Sequence, residues 1–200
     1  MIGIAAVLWM VWQFAFQTAV GPPPSPVVAL PAERLAFASL APDEEIVVIL
    51  ISHRRQPVEL RFRGQAGGPQ LIVSDVVWTE SDRAWKMARV RAVRPLAAAE
   101  ATGLDAVVAH LRAAKGPDRM HAATYEIEHR RNESTVGQET LFQTALVSDW
   151  TAEKRFPREA PDARRDLEAA AARAGVSREE LERWVTFESL VPPDDPEPDA

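Results

Sequence analysis

Residues 46–63 read IVVILISHRRQPVELRFR, and the fold follows from them. The first six are a β-branched run too short for a helix and apolar on every side, which predicts a strand buried at the centre of a sheet. After the connection at 53–57, Val58, Leu60 and Phe62 alternate with Glu59, Arg61 and Arg63, the period of a strand with one face buried and one wet. A short polar connection between two such runs predicts an antiparallel pair.

Working outward, the turn GQAGGP at 64–69 leads into strand candidates at 71–78 and 86–94. In the second, simple alternation sets Ala88, Val90 and Ala92 on one side and Met87, Arg89, Arg91 and Val93 on the other. Leu104, Val107, Val108 and Leu111 then recur at helical spacing until Gly116-Pro117 stops the pattern. Ala123, Tyr125 and Ile127 alternate with Thr124, Glu126 and Glu128, a polar loop is expected at 132–137, and a further run at 140–147 completes a hairpin. The order β-β-β-β-α-β-β with local pairings predicts an α+β domain, an antiparallel sheet covered on one face by one helix.

The C-terminal third changes character. Ala163, Leu167, Ala170, Ala171 and Ala174 form one helical stripe, Gly175 breaks it, and Ser177-Arg178-Glu179-Glu180 reads as a capping box ahead of Leu181, Trp184 and Val185. A helical hairpin over 151–191 is expected, followed by an acidic tail at 192–200 that has nothing to bury. Residues 170–185 resemble the second and third helices of a helix-turn-helix unit. The expected reading helix sets Arg178 and Arg183 against Glu179, Glu180 and Glu182, a balance that repels phosphates.

At the other end, residues 2–20 (IGIAAVLWMVWQFAFQTAV) run for nineteen positions without a charge. As a helix that is about 28 Å, close to the hydrocarbon thickness of a bilayer. Cleaved signal peptides also begin with an apolar run, but they carry a basic lead-in, and here no Lys or Arg precedes Arg34. The expectation is an N-terminal transmembrane anchor at 1–21, a proline-rich stalk and lead-in at 22–44, and a soluble sheet domain at 45–150 on the periplasmic or extracytoplasmic side. Gln13 and Gln17 lie one turn apart and share a helix face, so they are the candidates for association with another membrane helix.

Composition narrows the chemistry. The chain of 200 residues has no cysteine, which excludes disulfides, thiolate metal sites and thiol catalysis. A net charge of −6 argues against nucleic-acid binding. The four histidines, His53, His110, His121 and His129, show no ligand spacing; phosphate-binding glycine motifs and serine-nucleophile motifs are missing, and no cofactor is expected. Asn132-Glu133-Ser134 matches a glycosylation sequon, which matters only in a eukaryotic secretory setting.

Charge is segregated along the chain: residues 53–94 carry nine Lys or Arg against four Asp or Glu, while 136–200 carry eight against fifteen. If Arg61 and Arg63 stood across from Arg89 and Arg91, they would form a cationic face for anionic lipid or an acidic partner. Trp184 and Phe187 on the helical hairpin would add an apolar docking edge. The function expected from the sequence is a single-pass, membrane-anchored binding or assembly protein, with the bilayer and a protein partner or second copy as its contacts. Two alternatives remain: a tethered hydrolase-like enzyme using His53, Asp75, Glu80 and Asp82 near strand ends, or a regulator using the helix-turn-helix-like hairpin.

Overall fold

The computed structural model describes residues 35–52, 55–114, 122–155 and 161–193. The expected anchor, most of the stalk and the acidic tail, with Gln13 and Gln17, lie outside them. Among the described residues no helix is long and apolar enough to cross a membrane.

Six antiparallel strands form one sheet: β1 (Glu44–Ser52), β2 (Arg55–Arg63), β3 (Gln70–Thr79), β4 (Ala84–Pro95), β5 (Thr124–Arg131) and β6 (Ser134–Phe142), in the order β4-β3-β2-β1-β5-β6. The β-branched run is the central strand, as its two-sided apolarity requires. Between β4 at one edge and β5 near the other, helix α1 (Ala98–Ala113) carries the chain across a single face. Helices α2 (Ala145–Arg155), α3 (Pro161–Ala174) and α4 (Arg178–Arg183) follow. The chain is thus α+β, with a six-stranded antiparallel sheet and several helices.

One core unites these elements. Ile46, Val48, Leu60, Phe62, Tyr125 and Ile127 on the sheet pack with Leu104 and Val107 of α1, Val147 of α2, Leu167 of α3 and Leu181 of α4. Burying a side chain of this size contributes about 1.5–3 kcal/mol. Phe37, just before β1, is wedged between Phe62 and Phe187, with ring centroids at 4.7 and 6.1 Å. Its amide donates to Asp105 Oδ1 of α1 at 2.8 Å, so the lead-in to the sheet is tied to the helix.

Three local departures from the sequence reading have clear causes. The expected loop at 132–137 is a two-residue turn, Asn132-Glu133, both at positive φ (49° and 63°), a conformation whose twist matches a hairpin. Strand β6 therefore starts at Ser134, and the run at 140–147 divides. The strand ends at Phe142, then Thr144 caps α2 by accepting from the Val147 amide at 3.3 Å, so Leu146 and Val147 are helical. In the β3–β4 pair the register shifts twice, between Val73 and Ser74 and between Asp75 and Val76, which breaks simple alternation along β4.

The break at Gly175 stands as expected. Its φ of 72° suits glycine, and the Val176 amide reaches back to the Ala171 carbonyl at 2.9 Å to close α3. Ser177 Oγ accepts from the Glu180 amide at 3.2 Å and Glu180 Oε2 accepts from the Ser177 amide at 2.7 Å, so the capping box is formed.

Candidate functional site

Among the described residues every helix packs on one face of the sheet, and nothing described covers the other face. Its residues follow from register: Val47, Ile49 and Glu45 on β1, Glu59, Arg61 and Arg63 on β2, Glu126, Glu128 and Arg130 on β5. The same register carries Ile72 and Ser74 onto this face. The two shifts in β4 bring Val93 opposite Ile72, Val90 opposite Ser74 and Met87 opposite Val76. An unbulged strand would have put Val90 on the face away from Val93 and Met87. Instead Val93, Val90 and Met87 form one apolar stripe, 56, 46 and 60% exposed respectively.

The far end of the β3–β4 hairpin carries Trp78 opposite Trp85, their rings edge to face with centroids 5.3 Å apart. Trp85 Nε1 donates to Glu126 Oε2 at 3.0 Å, a bond from the hairpin to β5 across β2 and β1. The hairpin thus bends over the open face and roofs a groove of about 540 Å³, floored by Val47 and Ile49.

Inside this face the charges are matched. Arg61 bridges Glu59 at 2.9 Å and Glu45 at 3.3 Å, Arg63 joins Glu45 at 3.3 Å, and Arg130 binds Glu128 at 2.5 Å and approaches Glu45 at 3.9 Å. Glu59 is only 6% exposed, a depth a carboxylate reaches only when paired. Burial works to raise the Glu128 carboxyl, but hydrogen bonds from Arg130 and Thr135 outweigh it and hold the group below the usual carboxylate range. Glu139, opposite Ile127, turns to the helix side, where Arg112 of α1 grips it at 2.5 Å.

The four arginines singled out from the sequence do not build one cationic face. Arg61 and Arg63 sit on the open face, already engaged by glutamates. Arg89 lies opposite Asp75, whose pairing with Val58 places it on the helix side, and Arg91 occupies the first bulge. Arg89 Nε donates to Asp75 Oδ2 at 3.1 Å and Arg91 Nε to Oδ1 at 2.6 Å. Burial works to raise this carboxyl, and the Arg91 and Arg89 hydrogen bonds more than offset it, so its pKa is lowered. Arg61, Arg63, Lys86, Arg89, Arg91 and Arg94 of this stretch are thus paired within the fold.

Trp184 and Phe187 are not a docking edge either. Both are buried: Trp184 takes a hydrogen bond on its carbonyl from Trp150 Nε1 at 3.0 Å and stacks near His110 at 5.2 Å, and Phe187 packs 5.2 Å from Tyr125. Their helical spacing marks a core-facing stripe, the commoner use of such a pattern. Helix α4 has six residues, and its Arg178 is paired with Glu182 at 3.1 Å, so it offers little to a groove of duplex DNA.

Nor are the carboxylates at strand ends gathered into a cleft. Asp75 is clasped as described, Glu80 accepts from Trp78 Nε1 at 2.9 Å, Asp82 pairs with Lys86, and His53 lies outside the described residues. Among the described residues no three metal-ligating side chains come together. His110 Nε2 lies 3.3 Å from Thr144 Oγ1, and the buried His129 lies 3.7 Å from Glu44.

Sequence reasoning missed the open-face groove. Its two tryptophans are legible as a pair only once the 79–84 turn is known, and its apolar stripe depends on the bulges. Comparisons with known protein families, with curated proteins and with solved structures return no match.

Proposed function

We propose that this chain is a single-pass, membrane-anchored binding or assembly protein whose working surface is the open face of the sheet. The observation that carries the reading is the asymmetry of the two faces. One is sealed by four helices, while the other keeps Met87, Val90 and Val93 exposed beside a roofed groove. Such a contiguous apolar stripe rimmed by polar groups is how protein surfaces that bind usually differ from those that do not. The charge-free segment at 2–20 supplies the anchor and the proline-rich stretch after it the spacer, as the sequence alone suggests. The periplasmic or extracytoplasmic side belongs to the same proposal.

Its test is the full-length protein extracted in mild detergent. It should migrate as a complex larger than its own micelle. The double variant Met87→Asp, Val93→Asp should release it from that complex while leaving the melting temperature unchanged, because both side chains face solvent. An identical assembly in the variant, or a wild-type protein that migrates alone, would overturn the reading.

A further inference from the structure

We infer that the groove beneath the β3–β4 hairpin binds an uncharged, hydroxyl-rich ligand, a short stretch of neutral oligosaccharide. The inference rests on the open face being the working surface and names what part of that surface takes.

Charge decides the class first. The groove is lined by three carboxylates, Glu59, Glu126 and Glu128, and by the guanidiniums of Arg61, Arg83 and Arg130, so the sum is zero. A site for a phosphate polymer would show a cationic excess, and one for a basic peptide an anionic one. Neither is present. Arg61 is held by Glu59, Arg130 by Glu128 and Glu126 by the Trp85 indole, so these groups offer their remaining donor or acceptor positions in fixed places. Hydroxyl groups, which both donate and accept, can bridge neighbouring Arg and Glu atoms without disturbing the balance.

The aromatic wall supplies the second half. Trp78 is 46% exposed, its edge-to-face contact with Trp85 fixes its ring, and its indole N–H is spent on Glu80, which leaves the ring as an apolar platform. A sugar ring presents just such a pairing, with C–H bonds on its face and hydroxyls around its edge. Val47 and Ile49 continue the apolar floor. The volume of about 540 Å³ falls within the range of roughly 300–1,000 Å³ usual for ligand sites.

The experiment uses the full-length protein in a sugar-free zwitterionic detergent. Tryptophan fluorescence and calorimetry are followed during titration with cellohexaose, maltohexaose and chitohexaose, with dextran sulfate and polylysine as charged comparisons. At least one neutral hexasaccharide should bind saturably. Trp78→Ala should weaken it about tenfold, the equivalent of ~1.4 kcal/mol, and Trp78→Phe should retain most of the affinity. No saturable binding of any neutral hexasaccharide at millimolar concentration, tighter binding of either polyelectrolyte, or an unaffected Trp78→Ala protein would each overturn the inference. If the hexasaccharides are silent while the Met87→Asp, Val93→Asp variant still loses its complex, this inference fails and the docking reading stands.

Discussion

Glu188 lies in the 3-10 turn Phe187–Leu190, where Gln143 Nε2 donates to its Oε1 at 3.3 Å and the Tyr125 hydroxyl donates to the same oxygen, while its Oε2 is shut off from solvent. Burial pushes its pKa up, and the Tyr125 hydroxyl, buried beside it, is pushed well above the ordinary phenol value by the same burial and by the Glu188 charge. A group with a raised folded-state pKa favours the fold when protonated. That contribution is full below its unfolded pKa and is lost as pH rises through the folded value. Glu188→Gln, which keeps the acceptor and removes the charge, should therefore raise the melting temperature, by a margin that grows from pH 4.5 upward. A margin that is constant with pH would contradict it. At the other side of the sheet, Glu133 is held at a φ of 63° in the β5–β6 turn, where glycine is at ease and a side chain is not. Glu133→Gly should stabilise the protein by about 1 kcal/mol in urea unfolding.

At the scale of elements, the C-terminal segment is fixed to α1 by close approach. A Cβ on Gly103 would meet the Arg183 carbonyl oxygen and Val185 Cβ at 3.1 Å each, tighter than ordinary contact. Gly103→Ala should cost about 1–3 kcal/mol and raise hydrogen exchange in α4 and the turn after it, leaving the sheet protected. Unchanged exchange there would show that the segment has room to move. The hairpin has its own fastening in Asp75, so Asp75→Ala, which removes the buried carboxylate that Arg91 and Arg89 share, should cost about 3 kcal/mol.

How far the sequence disclosed these elements depends on whether a single local rule governed them. Strands β1 to β3 and helix α1 were legible because one period ran through each, and the α3 stop because glycine there had one use. Residues 140–147 fused a strand end with a helix start, since Leu141 and Leu146 are both buried but by different periodicities. The open-face stripe was hidden because two bulges reset the alternation of β4, and bulges leave no mark in the hydrophobic pattern. Trp184 and Phe187 read as exposed anchors because nothing local reveals that the sheet and α1 close over them.

Across the whole molecule, two sets of carboxyls pull stability in opposite directions with pH. Hydrogen bonding to Arg131 holds Glu44 low and to Arg94 holds Glu100 low, while for Asp75 and Glu128 the arginine contacts overcome burial. Their contribution is present above the ordinary carboxylate range and is lost as pH falls through their depressed values. Glu188, with Asp105, which burial raises despite the Phe37 amide, acts on the opposite slope. Melting temperature should therefore pass through a maximum on the acid side of neutrality, checked by calorimetry in buffers of constant ionic strength. A steady rise into alkaline pH would contradict the role given to Glu188.

The division of labour between the faces is most directly tested by hydroxyl-radical footprinting of the full-length protein, in native membranes and after purification. Trp78 and Met87, both exposed and reactive, should be shielded in membranes and labelled once the protein is alone. Equal labelling of Trp78 and Met87 in the two states would contradict the assignment of the open face as the binding surface.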